Sequence, residues 1–319
     1  MPANALVALS SPLSQSLPET PAVGSRFHLA RSLPFALVHL APLAAFFVDV
    51  RWQDWAVCAV LYLVRMFGIT SGYHRYFAHR AFRTSRVMQF LLAFLGTSAA
   101  QKGVLWWAGH HRHHHVHSDD ADDVHSPKRG FWWSHIAWIL DEKNDATPSE
   151  RIRDFARYPE LRFLNRHWWL PPTALAAATL GIGGSSMLFV GFFLSTVLVW
   201  HATFLVNSLA HVWGSRRFAT TDTSRNNLLI ALLTLGEGWH NNHHHYCSTA
   251  NQGFYWWEID LSYYVIKAME KLGLVWGVRR PHPEALARNR IDQGVVDVAV
   301  PGKRARTPVS PSLQLQDAE

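Results

Sequence analysis

The chain has 319 residues, a formal charge of +7 with histidine neutral, and 49% apolar residues that include 15 Trp and 18 Phe. The apolar residues gather in long runs, as bilayer-crossing segments do, and the basic residues lie between those runs, which excludes a nucleic-acid-binding surface. Only two cysteines occur, Cys58 and Cys247, which excludes a disulfide framework and a cysteine-based metal site.

Residues 1–30 contain no basic stretch followed by a compact apolar one, so they read as a flexible Ser- and Pro-containing leader and not a cleaved signal. Runs at 33–50 and 55–72 approach the roughly 20 residues needed to span a bilayer. The apolar stretch 87–100 is shorter and reads as a buried or interfacial helix. Segment 168–182 has Pro171 and Pro172 near its start; Gly181, Gly183, Gly184, Ser185 and Ser186 then form a turn before the run 187–208, so the two read as a helical hairpin. A further run at 228–235 is too short to span and is expected as a buried helix beneath the site. The expected fold is an all-α integral membrane protein with four transmembrane helices in two hairpins carrying a cytoplasmic helical cap. Residues 31–285 form its single domain and 286–319 a disordered tail.

Arg75, Arg80, Arg83, Arg86, Lys102, Arg112, Lys128 and Arg129 crowd the stretch 73–167, whereas the turn after the first span holds only Arg51 and the turn after the third holds no Lys or Arg. The positive-inside bias puts that stretch and both termini in the cytoplasm. Nine of the 20 histidines fall into blocks: His74 and His79; His111, His114 and His115; His211 alone; His240, His243 and His244. Neutral imidazole is the commonest ligand for transition metals, and nine exceed one ion's needs, so two metals sharing one site is the economical reading. If 87–100 crossed the membrane, His111 would lie opposite His74; it is therefore expected not to cross.

On an α-helix the i, i+3, i+4 spacing puts His111, His114 and His115 on one face, and likewise His240, His243 and His244. His74 and His79 diverge by about 140° on such a helix, which suits ligands of different metals. His39 and His201, alone in apolar spans, read as packed hydrogen-bonded residues. His110, His113, His117, His125 and His245 surround block positions without joining the pattern.

The blocks His74-Arg-Tyr-Phe-Ala-His79, His111-Arg-His-His114-His115 and His240-Asn-Asn-His243-His244 resemble the three histidine boxes of membrane fatty acid desaturases, in the bacterial form of the Δ9 (stearoyl-CoA type) family. Gly130-Phe-Trp-Trp-Ser-His135 with Trp138, Asn207-Ser-Leu-Ala-His211 and Gly236-Glu-Gly-Trp-His240 extend the likeness over about residues 33–280. The resemblance implies a diiron centre that uses O2 and an external electron donor to place a cis double bond in a saturated acyl chain. It implies one iron on His74, His115, His240 and His244, with Asn207 reaching it through a water, and the other on His79, His111, His114, His211 and His243. Asp119, Asp123 and Glu237, at acidic positions of the family, are expected to orient ligand histidines, and Asp120 and Asp122 to belong to a solvated loop.

Trp107 and Gln101 match family positions that line the acyl tunnel. The Arg-Asp pair that often precedes the second box in acyl-CoA users is replaced by Gly109 and His110, so acyl-CoA, an acyl-lipid or acyl carrier protein all stay open as substrate forms. No haem-binding His-Pro-Gly-Gly stretch or Cys-rich motif is present, so electrons are expected from a separate ferredoxin, rubredoxin or cytochrome b5-type protein. The expected location is the bacterial inner membrane, with the site cytoplasmic. Two other readings share these residues: a diiron hydroxylase on the same ligands, and a histidine-rich metal transporter. The transporter is disfavoured because the clusters lie outside the spans and His39, Asp49, Arg65 and His201 are scattered.

Overall fold

A computed structural model describes residues 29–291, so the leader expected before residue 29 lies outside the described residues. The first apolar run forms helix α1 (Leu29–Leu40), which tightens into a 3-10 helix at Ala41–Phe47 with Pro42 in its first turn. Its apolar helical length, Ser32–Phe47, falls short of a full span. Helix α2 (Trp52–Phe67) runs on without a break into a π-helix at Gly68–Ala78, and together they make a 27-residue apolar rod long enough to cross a bilayer.

The second long apolar segment, Leu170–His211, begins with α5 (Leu170–Ser186), passes through a π-helix at Met187–Leu194 and ends in α6 (Ser195–Asn207). Gly184, at φ 74° and ψ −164°, breaks the helical path inside it. A residue with a Cβ would be strained there, so the chain can reverse at that glycine and pack Met187–Leu194 back against α5. The turn is tied to the start of α2, because Arg51 Nη2 donates to the Gly183 carbonyl (2.7 Å) while the Arg51 backbone N–H donates to Asp54 Oδ2 (2.8 Å). Deeper in, the guanidinium of Arg65 donates to Thr196 Oγ1 (2.7 Å), to Ser195 Oγ and to the Phe192 carbonyl (3.4 Å), binding α2 to the π-helical stretch whose wide turns free carbonyls.

Leu33, Leu37, Leu40, Leu43, Phe46, Phe47, Trp55, Val60 and Leu63 all point outward from this bundle, a surface that suits lipid and not water. Beyond the bundle, α3 (Arg86–Thr97) is capped by the Ser85 hydroxyl, which accepts from Met88 N. It lies in a groove that glycines open: a Cβ on Gly68 would sit 2.8 Å from Gly96 N, and one on Gly72 would sit 2.9 Å from the Leu92 carbonyl. Helix α3 lies against Gly68–Ala78, and helix α4 (Val104–His117), which follows it, packs on the same segment.

Two expectations are corrected. The run 228–235 forms α7 (Leu228–Leu233), and within that helix only Ile230 and Ala231 are buried; Leu228, Leu229, Leu232 and Leu233 are exposed. An uninterrupted apolar run carries no periodicity to show that one face turns outward. The tail expected from 286 is ordered to Ile291, because Asn289 and Ile291 pair through their backbones with Ala219 and Arg217; residues 292–319 lie outside the described residues.

In the α3 groove Gly96 makes the tightest approach, with the Tyr73 ring where its Cβ would stand, and the Tyr73 hydroxyl is held by Thr97 Oγ1 (2.8 Å). Gly96→Val is expected to cost about 1–3 kcal/mol, read as a lower Tm in detergent. Gly181→Ala, where nothing lies within 4 Å of the new Cβ, should leave Tm unchanged or slightly raised.

Candidate metal centre

Three helices and one turn deliver the histidines. The π-helix brings His74 and His79, α4 brings His111, His114 and His115, the 3-10 turn Leu209–His211 brings His211, and α8 (His240–His245) brings the rest. Their ring nitrogens form two groups: His74, His79, His111, His115 and His243 in one, His114, His211, His240 and His244 in the other. In the first, the Nε2 atoms close a ring: His74 to His243 3.0 Å, His243 to His115 2.9 Å, His115 to His111 3.0 Å, His111 to His79 2.9 Å and His79 to His74 3.1 Å. In the second, His211 and His240 approach to 3.0 Å. The Nε2 atoms of His114 and His244 have no hydrogen-bond partner among the described residues.

Hydrogen bonding cannot account for the ring. An imidazole nitrogen is either an N–H or a lone pair, each contact needs one of each, and alternation around a cycle of five is impossible. A cation accepts all five lone pairs. Ligands at right angles on a metal with bonds of about 2.1 Å lie roughly 3.0 Å apart, the spacing found here.

Carboxylates hold the far side of four rings. His74 Nδ1 donates to Glu237 (2.5 Å), His114 Nδ1 to Asp123 (3.0 Å), His211 Nδ1 to Asp119 (3.4 Å) and His244 Nδ1 to Asp222 (2.8 Å). Each bond fixes the tautomer so that Nε2 presents its lone pair inward. Burial alone would raise the acid groups, yet the histidine partners and neighbouring donors hold Asp119, Asp123 and Asp222 well below the usual carboxylate range. His79, His111, His115, His240 and His243 are pushed far below an ordinary histidine by burial and by one another, so they are neutral and able to bind metal.

The division between metals corrects the expected one: His79 joins His74, and His111 joins both. The reason is the π-helix. The His79 N–H donates to the His74 carbonyl five residues back, so in this wider turn the two rings meet edge to face on one side, centroids 4.8 Å apart, instead of diverging. His114 parts from His111 and His115 because its Nδ1 is turned to Asp123.

Among residues the spacing could not reveal, Asp222 lies 22 positions before its histidine, with no local pattern to mark it. Gln252 donates to Glu237 Oε2 (2.9 Å), and Arg75, buried between Glu237 and Asp260, anchors the same carboxylate. Asp120 and Asp122 stay exposed beside His117. His39 and His201 bond to each other (3.1 Å), and His201 to His135 (3.1 Å), away from the centre. His125 packs its ring 4.2 Å from that of His114.

A cavity of about 600 Å³ leads to the centre between α1, α4 and α6. Phe35, Val38, Trp200 and Phe204 wall it, Lys102, Asp145 and Arg166 line it too, and it reaches His111 and Asn207. Trp107 and Gln101 line it together: the Trp107 ring stacks on His111, and its Nε1 donates to Gln101 (3.3 Å), whose amide donates to Thr203 (3.0 Å). A small cavity of about 30 Å³ lies beyond, bounded by Asn207, His74, His111, His114 and His240.

Residues 51–278 match the family model described as fatty acid desaturase. The chain is 38% identical over 257 residues to the sn-2 palmitoyl-lipid 9-desaturase of Nostoc sp. (strain 36), covering 78% of this chain and 90% of that one. It is 38% identical to the sn-1 stearoyl-lipid 9-desaturase of Anabaena variabilis (78% and 92% covered) and 38% identical to the acyl-CoA C20 Delta5-desaturase of Anemone leveillei (72% and 75% covered).

Asp222 tests the metal reading at a residue that touches no metal. Asp222→Ala is expected to weaken metal retention about 10–100-fold, measured as release to a chelator. Asp122→Ala, whose side chain is 78% exposed, should not change it.

Proposed function

The chain belongs to the fatty acid desaturase family and is an oxidoreductase that desaturates fatty acyl chains, and on that premise we propose that it inserts a cis double bond at Δ9 of a saturated chain carried on a membrane lipid. The cavity carries this reading: an apolar passage of about 600 Å³, walled by helices of the lipid-facing bundle, ends at the histidines. The names of the two relatives that act on palmitoyl- and stearoyl-lipids support Δ9 and the lipid form. So do Gly109 and His110, which offer no charged pair for a CoA head group.

Two irons fit the nitrogens, one on His74, His79, His111, His115 and His243, the other on His114, His211, His240 and His244. When bound, they supply with O2 an oxidant able to take hydrogen from an unactivated methylene, chemistry that no side chain offers and that zinc lacks. The protein's own part is placement. Trp107, held by Gln101 and stacked on His111, closes the wall where the chain passes the centre. Asn207 would hold one water-sized molecule in the small cavity of about 30 Å³, which is large enough for it. The apolar walls keep bulk water from the reacting carbons. Electrons would come from a separate ferredoxin, rubredoxin or cytochrome b5-type protein, drawn by the basic residues between the spans.

We also infer four crossings in two hairpins, with both termini and the histidines on the cytoplasmic side of a bacterial inner membrane. The Arg51 to Gly183 bond supports this by holding the two hairpin turns at one face, opposite the basic stretch.

Expressed in bacteria that make no unsaturated fatty acids, the protein should yield cis-Δ9 chains on lipid, seen by chromatography with double-bond mapping. Hydroxy acids without alkenes would overturn the reading. His115→Ala and His243→Ala should abolish the product and His117→Ala should spare it. With a reductant, purified enzyme should act on stearoyl-lipid vesicles; turnover of stearoyl-CoA alone would refute the carrier. For orientation, a thiol reagent outside intact cells should label Ser185→Cys, and Lys128→Cys only after permeabilisation.

A further inference from the structure

We propose that the segment 282–291 is a clamp that positions the ligands of the four-histidine metal and leaves the five-histidine metal untouched, with His245 as its contact on the ligand helix. The proposal rests on the two-metal reading above.

The segment makes three attachments. Helix α9 (Pro283–Ala287) receives a hydrogen bond at its Ala285 carbonyl from His245 Nε2 (2.6 Å), and His245 follows directly on His244. Past the helix, Ala219 N–H donates to the Asn289 carbonyl (2.7 Å) and Ile291 N–H to the Arg217 carbonyl (2.7 Å), a short antiparallel bridge. Between them the Phe218 ring stacks on His245 with centroids 4.0 Å apart and planes 6° from parallel, locking strip to helix.

The strip 217–223 thus has two bonded edges. Its outer edge is the clamp. Its inner edge is Asn241 of α8, whose Oδ1 accepts from the backbone N–H of both Arg217 and Phe218 (2.8 Å each). The strip then runs straight into the groups that orient ligands. Asp222 accepts from His244 (2.8 Å), and Thr223 donates through N and Oγ1 (2.6 Å each) to Asp119, the partner of His211. Both served histidines belong to the four-histidine group. In the first group His74 draws its support elsewhere, from Glu237, Gln252 and Arg75, and His243, although on α8, meets only ring partners through Nε2 and has no partner at Nδ1 among the described residues. Loosening the strip should therefore release one metal and keep the other, whereas general unfolding would release both.

The test is titration of the metal-stripped full-length chain in detergent with cobalt(II), whose visible absorption reports coordination at each site. The intact chain is expected to bind two equivalents tightly. His245→Ala and Ile291→Pro, the latter removing the N–H given to Arg217, should each bind one equivalent as before and the second at least tenfold more weakly. His245→Gln, which keeps a donor at the same reach, should restore the second. Equal weakening of both equivalents, or of neither, would overturn the clamp. Iron content of the protein as purified is a separate measurement: a native metal other than iron would count against the proposed function while the cobalt titration still decides the clamp.

Discussion

A ring of five imidazole nitrogens, each about 3 Å from the next, cannot be closed by hydrogen bonds, because donors and acceptors cannot alternate around an odd cycle. That frustration organises the molecule. The nitrogens must be lone pairs, so the rings must be neutral, and burial together with mutual repulsion keeps His79, His111, His115 and His243 so. Positive charge placed among the histidines needs an answer, which comes from Glu237 behind His74 of this ring and from Asp123, Asp119 and Asp222 behind His114, His211 and His244 of the second group. Orientation and charge balance are thereby one set of bonds.

Such a centre tolerates little slack, and the fold removes it by widening helices where α-geometry would misplace a ring. The π-helical turn from His74 to His79 aligns two rings that a regular helix would splay. At the end of a second π-helical stretch, Met187–Leu194, the buried guanidinium of Arg65 takes the Phe192 carbonyl together with the Ser195 and Thr196 hydroxyls at the start of α6, fixing the depth of α6 and with it Asn207 and His211. Close packing steadies the first of these, because glycines at 68, 72 and 96 let α3 lie directly against Gly68–Ala78.

That the nine histidines would gather was legible because residues that share one site must recur at spacings that face inward. Their division between metals was not legible, since no residue in Gly68–Ala78 announces a π-helix and the 140° rule silently assumes an α-helix. Asp123 stands nine positions after its partner His114, whereas Asp119 serves His211 from 92 positions away and Asp222 reaches His244 across a loop, so neither leaves a spacing to read. The exposed face of α7 and the pairing of residues 289–291 were hidden for a related reason: an all-apolar run has no period, and a strand-like contact of three residues has no pattern.

Where the double bond falls is a question of register, and apolar walls are poor at register. Sliding a chain by one methylene past Phe35, Val38, Trp200 and Phe204 exchanges like contacts for like, whereas a site that discriminates by a single methylene gains only about 1–3 kcal/mol. A polar group that stops at a polar contact sets register more sharply, because displacing it leaves buried donors unpaired. Relatives named for Δ9 and Δ5 products stand equally near this chain at 38% identity. Position of attack therefore belongs to the span between the acyl head and the metals and not to the histidines. In this chain the charged residues lining that span are Lys102, paired with Asp145 (2.6 Å), and the exposed Arg166.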